Sequence, residues 1–343
     1  MNKHVWGTWM LAGASAMVLS ACGPTKPAAG DGAAAPAEGK PIKIGFLVKQ
    51  PEEPWFQYEW KFGEKAAKDL GFELLKIGIS DGEKTLAAID NLVANGAQGF
   101  VICVPDVRLG PGVVAKAKAG NLKFLCVDDA LVGADGQILQ DVPYYGMSAS
   151  KIGNQVGDVL LAEMKQRGWN FADVGALVVS HDELDTIRQR TDGAIATLTA
   201  AGFPADRIFK APTQKLEIPA AMDAASALLT QKADIKKWIV FGGNDNSVLG
   251  GVRATEQHQL AAENVIGVGI NGTDCQTEFA KEKPTGFYAS ILPEVWNHGY
   301  QTARLVYEWV KTGQAPPLDT RTGGVMINRE NFRAVLKEKG ITD

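Results

Sequence analysis

Lys49, Glu53, Trp55 and Phe56 fall within the short stretch KQPEEPWF, directly after the apolar run IKIGFLV. An ammonium and a carboxylate so close together can donate to and accept from the same set of hydroxyl groups. An indole face packs against the C–H patch of a pyranose ring. Two prolines in the same span end the preceding strand and stiffen the backbone that carries these groups. Other apolar runs also end in polar residues: Cys103 to Asp106, Asp128 and Asp129, His181 to Asp185, Asn244 and Asp245, and Asn271 to Asp274. These are neutral or carboxylate, with few cations. A phosphate-bearing ligand would need a glycine-rich cradle and positive charge. The set suits an uncharged molecule with many hydroxyls.

Other chemistries find less support. Glu53 and Asp129 could drive glycoside hydrolysis if suitably spaced, or accept hydrogen bonds from sugar hydroxyls without reaction. Ser180 beside His181 suggests a nucleophile, but no G-x-S-x-G elbow surrounds it, so Ser180 reads as the polar end of a strand. GVGING (267–272) matches a dinucleotide fingerprint in letters only. Its Gly267 and Gly269 alternate with Ile266, Val268 and Ile270 inside the apolar run, whereas the fingerprint opens after the strand and leads into a helix. The four histidines are scattered and no His or Cys cluster has ligand spacing, so neither a metal nor a cofactor is expected. A formal net charge of -4 gives no basic face for nucleic acid.

The elements that must hold these residues follow a simple alternation. The chain has 343 residues, 45% hydrophobic and 22% charged, enough for two domains. From residue 42, IKIGFLVK, FELLKIGI, FVICVPD and LKFLCVDD read as strands separated by amphipathic helices. The pattern restarts after about 150 with VGALVVS, RIFKAP, KWIVFGGND and NVIGVGING. Apolar strands alternating with helices indicate parallel sheets covered on both faces. The expected fold is α/β, two doubly wound parallel-sheet lobes joined by several crossing segments. One lobe comprises 42–147 plus about 293–322, the other 150–291 plus about 326–343. Ligands of such sheets bind beyond the carboxyl ends of the strands, where the polar residues above are found.

Residues 1–22 have a basic start, a short apolar middle and small residues at the end, as a secretory signal does. The final Leu19-Ser20-Ala21-Cys22 resembles the lipobox of bacterial lipoproteins, in which the cysteine is lipidated. Residues 23–40, rich in Pro, Ala and Gly, read as a disordered tether. These features predict a body held by a lipid anchor through Cys22 in the periplasm or at the outer face of the cytoplasmic membrane. The remaining cysteines, Cys103, Cys126 and Cys275, are odd in number and read as small buried hydrophobes.

Long strings carry a family likeness: GFLVKQPEEPWFQ, DGEKTLAAID, VLGGVRATE, GING and TGFY. From about residue 42 onward the chain resembles the L-arabinose-binding family of periplasmic sugar receptors, components of ATP-driven importers with the type I periplasmic binding protein fold. The resemblance implies Lys49 and Glu53 at sugar hydroxyls and Trp55 as an aromatic wall with Phe56 beside it. It implies that Asp129 accepts from the anomeric hydroxyl, with Asp128 in the polar network. Arg190 would donate to the ring oxygen, and Asn244 and Asn271 would bind further hydroxyls. Cys103, Met147, Leu184, Thr186 and Asp274 would line or support the pocket. The implied protein is no enzyme. It is a monomeric receptor for a neutral monosaccharide, L-arabinose first and D-galactose or D-fucose next, which it delivers to an ABC permease. A sensor presenting sugar to a chemotaxis or kinase receptor, or a sugar-converting enzyme, are the alternatives. The family has methionine where this chain has Gly243, and the lost side chain is expected to enlarge or wet the pocket.

Overall fold

In the computed structural model, which describes residues 41–342, the alternation is built as two sheets. The signal segment, Cys22 and the tether lie outside the described residues. The first half supplies β1 (Lys43–Val48), α1 (Pro54–Leu70), β2 (Glu73–Gly78), α2 (Gly82–Ala94), β3 (Gly99–Ile102), α3 (Gly110–Ala119), β4 (Lys123–Val127) and β5 (Tyr144–Met147). The second supplies α4 (Ala149–Gln166), β6 (Val174–Ser180), α5 (Asp185–Ala200), β7 (Ile208–Pro212), α6 (Ile218–Gln231), β8 (Lys237–Gly242), α7 (Asp245–Gln257), β9 (Val265–Ile270) and α8 (Cys275–Phe279). The chain finishes with β10 (Phe287–Pro293), α9 (Val295–Thr312), β11 (Asp319–Thr322), β12 (Gly324–Asn328) and α10 (Phe332–Glu338).

The first sheet runs β11-β5-β4-β3-β1-β2 and all its pairings are parallel. The second repeats the plan as β12-β10-β9-β8-β6-β7, with β12 antiparallel to β10. In each, the strand order reverses beside the first strand of the lobe, between β1 and β3 and between β6 and β8. That reversal leaves a crevice at the carboxyl ends.

Alternation within a strand decides which layer each side chain enters. Ile44, Phe46 and Val48 join a core with Phe56, Ala66, Ala303 and Val306, under α1 and α9. Leu47 points the other way, to Ile89, Leu92 and Val113 of α2 and α3. A Cβ at Gly45 would stand 2.5 Å from Leu92 Cδ1, so the small residue lets α2 settle on β1.

Three short segments cross between the lobes: β5 into α4, β10 into α9, and β11 into β12. The long helix α9 leaves the second sheet and returns to the first lobe. It buries Val295, His298, Gly299, Thr302, Ala303 and Val306 along one stripe. A Cβ at Gly299 would lie 2.3 Å from the Glu59 carbonyl oxygen, so glycine sets the close approach of α9 to α1. The sequence pattern does not announce β5 or β11. Both have only four residues and β11 is DTRT, polar throughout, so their strand character comes from sheet pairing, β11 with β5 and β5 also with β4.

Candidate functional site

The corner KQPEEPW is fixed by packing and by helix initiation. The Glu53 N–H donates to the Gln50 carbonyl at 3.0 Å, closing a turn. Pro51 rests on the end of β2, where a Cβ at Gly78 would come within 2.8 Å of its Cγ. Pro54 occupies the first turn of α1, where its missing N–H costs nothing. Glu53 is the N-cap residue, yet its side chain makes no capping bond and remains available to the space in front of the helix.

The end of β4 is folded just as tightly. Asp128 has φ +62°, a left-handed conformation that aspartate enters more readily than most residues. The consecutive acids therefore serve different partners. Asp128 accepts from the Trp55 indole N–H at 2.8 Å through one oxygen and meets His298 Nδ1 at 2.7 Å through the other. Its own carbonyl accepts from the Tyr144 hydroxyl at 2.6 Å. Asp129 accepts from Lys49 Nζ at 2.5 Å and from the Cys103 thiol at 3.5 Å. Burial lowers the affinity of Lys49 for its proton, but Cys103, Asp129 and Asp128 outweigh this and hold its pKa above the usual value.

Beneath this corner, buried Glu59 and His298 cluster with half-buried Asp128, their facing N and O atoms within 4.8 Å of one another. Glu59 is sealed from solvent and neither carboxyl oxygen has a hydrogen-bond partner. Burial, with Asp128 alongside, pushes its pKa well above the ordinary range. His298 is clamped edge-on between Trp55 and Tyr145, and its Nε2 lies 2.9 Å from the Thr322 hydroxyl.

The second lobe faces the corner with a different chemistry. Arg190 on α5 donates to the Gly243 carbonyl at 2.7 Å, while its Nε is buried and unpartnered. Among the described residues no carboxylate lies within ion-pair reach of it, and burial pulls its pKa below the usual arginine value. Asn271 has φ +121° and follows β9 directly. Both lobes line one cavity of about 1040 Å³.

Of the residues expected at the site, Lys49, Glu53, Trp55, Asp128, Asp129, Met147, Thr186, Arg190, Asn271 and Asp274 line this cavity together. Four do not. Phe56 is turned into the core of the first lobe, under the Lys49 ammonium at 6.0 Å. Cys103 is buried behind Asp129, and burial raises its thiol pKa well above normal. Leu184 stands 49% exposed at the start of α5. Asn244 spends its side chain on the helix: its oxygen accepts from the Ser247 N–H at 2.9 Å, capping α7.

The expected enlargement at Gly243 is not found. A Cβ there would meet Ile187 Cγ2 at 2.6 Å and Leu216 Cδ2 at 3.4 Å, so neighbouring aliphatics already fill the space. The glycines of GVGING lie within β9, as the alternation requires. Ser180 is buried at the end of β6, and His181 instead meets the Thr213 carbonyl at 2.7 Å. Cys103, Cys126 and Cys275 are buried and, among the described residues, have no disulfide partner. Sequence reading misses Glu59, Tyr144, His298 and Thr322, which converge from four distant segments. The one local hint is Glu59 on the stripe of α1 that also carries Phe56 and Phe62.

The profile of the family described as periplasmic binding proteins and sugar binding domain of LacI family matches residues 41–334. The chain is 50% identical over 301 residues to the L-arabinose-binding periplasmic protein of Escherichia coli (strain K12), covering 88% of this chain and 92% of that protein. It is 49% identical over 302 residues to the ABC transporter L-arabinose-binding periplasmic protein of Azospirillum brasilense, covering 88% and 90%. Among solved structures, the periplasmic ribose ABC transporter of Conexibacter woesei superposes with a TM-score of 0.70 at 17% identity, covering 87% of this chain and 95% of that one. The arabinose-binding protein AraP of Geobacillus stearothermophilus gives 0.67 at 16% identity, covering 86% and 99%. These two likenesses concern the fold.

Proposed function

The chain belongs to the family of periplasmic binding proteins and sugar-binding domains of the LacI family, and we propose that it is a receptor that closes around L-arabinose. D-Galactose and D-fucose, which share the pyranose frame, are the next candidates. The observation that carries this reading is the unlike chemistry of the two cleft walls. One presents an indole, an ammonium and carboxylates already fixed to one another; the other presents a buried guanidinium with no acid beside it among the described residues. An uncompensated buried cation is costly, and a hydroxyl-rich ligand can satisfy it without bringing charge of its own. Both walls reach the ligand only when the lobes shut, so binding free energy favours the closed form.

In this reading Lys49, Glu53 and Asp129 bind hydroxyls, Trp55 packs on the ring, and Arg190 and Asn271 complete the shell from the second lobe. The sugar leaves unchanged, and the closed form hands it to an ABC permease. The chain acts as a monomer outside the cytoplasm, anchored by lipid on Cys22. No helix among the described residues is long and apolar enough to cross a membrane. Radiolabelled palmitate entering the wild type but not Cys22→Ser supports the anchor, and equal labelling refutes it.

A thermal-shift panel of monosaccharides tests the receptor reading. A ligand of the native state at one hundred times its Kd adds about 2.7 kcal/mol of stability. L-Arabinose is expected to raise the Tm most. A panel in which no pentose or hexose moves the Tm overturns the reading.

A further inference from the structure

The glycines of GVGING are left without a role by the ligand chemistry, and one of them, Gly269, faces a buried carboxylate. Asp245 opens α7 and is fully buried. A Cβ at Gly269 would fall 2.3 Å from Asp245 Oδ1, so only glycine at that point of β9 leaves room for the acid. Asp245 Oδ1 accepts from the Ser290 hydroxyl of β10 at 2.6 Å. Its Oδ2 accepts from the Gly272 N–H at 3.1 Å and the Cys275 N–H at 3.3 Å. The Gly272 N–H is shared with Ser290 Oγ, also at 3.1 Å.

These bonds grip a bend that the chain would not otherwise keep. Asn271 at φ +121° and Gly272 at φ +76° are consecutive residues in left-handed backbone. For a residue with a side chain such a conformation is unfavourable and persists only where its surroundings over-determine it. The Asn271 N–H is held by the Ile291 carbonyl at 3.0 Å, which secures one side of the bend; Asp245 secures the other. Asn271 and Asp274 on this bend both line the cleft.

We propose that Asp245 is a positioning residue for the cleft: its carboxylate holds the Asn271–Gly272 bend that presents Asn271 to the sugar. The inference rests on the receptor reading above. Burial raises the Asp245 pKa to about 6, with Asp274 adding like charge, while Ser290 and Cys275 hydrogen bonds pull it down. The ionised form offers acceptors to all three donors at once. Protonation at Oδ1 turns the Ser290 hydroxyl from donor to acceptor and strips the Gly272 and Cys275 N–H bonds of their charge assistance, and the grip loosens.

The test is calorimetry of the full chain with L-arabinose between about pH 7 and about pH 5, a window that spans the Asp245 transition. Wild-type affinity is expected to fall severalfold across the window. Asp245→Asn is expected to bind about tenfold more weakly at the upper end, the order of one lost charge-assisted hydrogen bond, and to lack this part of the pH dependence. Glu59, whose pKa is also raised, is common to both proteins, so whatever it contributes cancels in the comparison. Gly269→Ala, which displaces the carboxylate without altering its charge, is expected to lower affinity similarly. Ser290→Ala gives the same readout if Asp245→Asn fails to fold. Wild type that binds no sugar overturns the receptor reading and this inference together. Wild type that binds, beside an Asp245→Asn protein with the same affinity and the same pH profile, overturns the positioning role alone.

Discussion

His298 joins Asp128 to Thr322: its Nδ1 lies 2.7 Å from an Asp128 oxygen and its Nε2 2.9 Å from the Thr322 hydroxyl. The Thr322 carbonyl in turn accepts from the Ser148 N–H at 2.9 Å. His298 follows the second lobe crossing, Thr322 precedes the third and Ser148 sits in the first. One imidazole therefore ties the cleft wall to the roots of all three crossings. A carboxylate oxygen only accepts, so Nδ1 is the donor in the contact with Asp128.

Variants can separate the two arms. Asparagine can replace the Nδ1 donor and glutamine can replace Nε2. His298→Asn is expected to bind L-arabinose within about threefold of wild type, and His298→Gln at least about tenfold more weakly, because only the first keeps the bond to the charged Asp128. Calorimetry giving the two variants equal affinity would show that His298 acts as filler.

Arg190 has the opposite balance of stability and function. Among the described residues its guanidinium lacks a carboxylate partner and its Nε lacks any partner, so the ligand-free protein gains little from the charge. Arg190→Met, which keeps the aliphatic stem, is expected to leave the ligand-free Tm unlowered. The same change is expected to weaken L-arabinose binding by roughly 2–5 kcal/mol, the range for truncating one partner of a buried charged contact. Near-normal binding in titration calorimetry removes Arg190 from the site.

At Gly243 the prediction concerns packing. Ile187 and Leu216 already occupy the volume that a side chain would claim. Gly243→Met is expected to cost about 1–3 kcal/mol in urea denaturation, the usual range for overpacking. Ile187→Ala in the same chain is expected to recover part of this loss. A single variant as stable as wild type would mean that the aliphatics swing aside freely.

Asp245 also marks the pH profile of folding. Its native pKa of about 6 stands above the ordinary 3.8 because burial penalises the charge. The native state then holds a proton that the unfolded chain has released. The stabilisation is fully present below about pH 4 and is lost as pH rises through about 6, a total of roughly 3 kcal/mol. Wild-type stability is expected to decline across that window, and Asp245→Asn to decline less. Urea titrations at successive pH values with identical slopes in both proteins would contradict this.

Lys49 and Asp129 make the contrast between stability and binding plainer still. The pair is part-exposed, 28% and 38%, so it adds little to folding. Lys49→Ala is expected to keep its Tm within a few degrees of wild type while losing affinity for L-arabinose. A large fall in Tm with binding intact would reverse the assignment.

Much of this protein is written in short-range pattern. The apolar runs with polar ends placed β1, β3, β4, β6, β8 and β9, and the two prolines marked the corner that carries Lys49, Glu53 and Trp55. Such features depend on residues a few positions apart, which is why periodicity and turn chemistry report them. The strands β5 and β11 escaped the same reading because neither has a pattern of its own. β11 becomes a strand by pairing with β5 about 175 positions away, as Asp319 does with Tyr144, and β5 by lying between β11 and β4.

The sequence by itself determined the two-lobed α/β plan, the polar residues at the strand ends and the family to which they belong. Tertiary structure alone decided which of those residues face the cleft. It turned Phe56 into the core, gave Asn244 to a helix cap, filled the space beside Gly243 and set Glu59, Asp128 and His298 against one another. The reason is distance along the chain: His298 and Asp128 are separated by 170 positions, and no local preference encodes a hydrogen bond that long-range packing must first bring within reach.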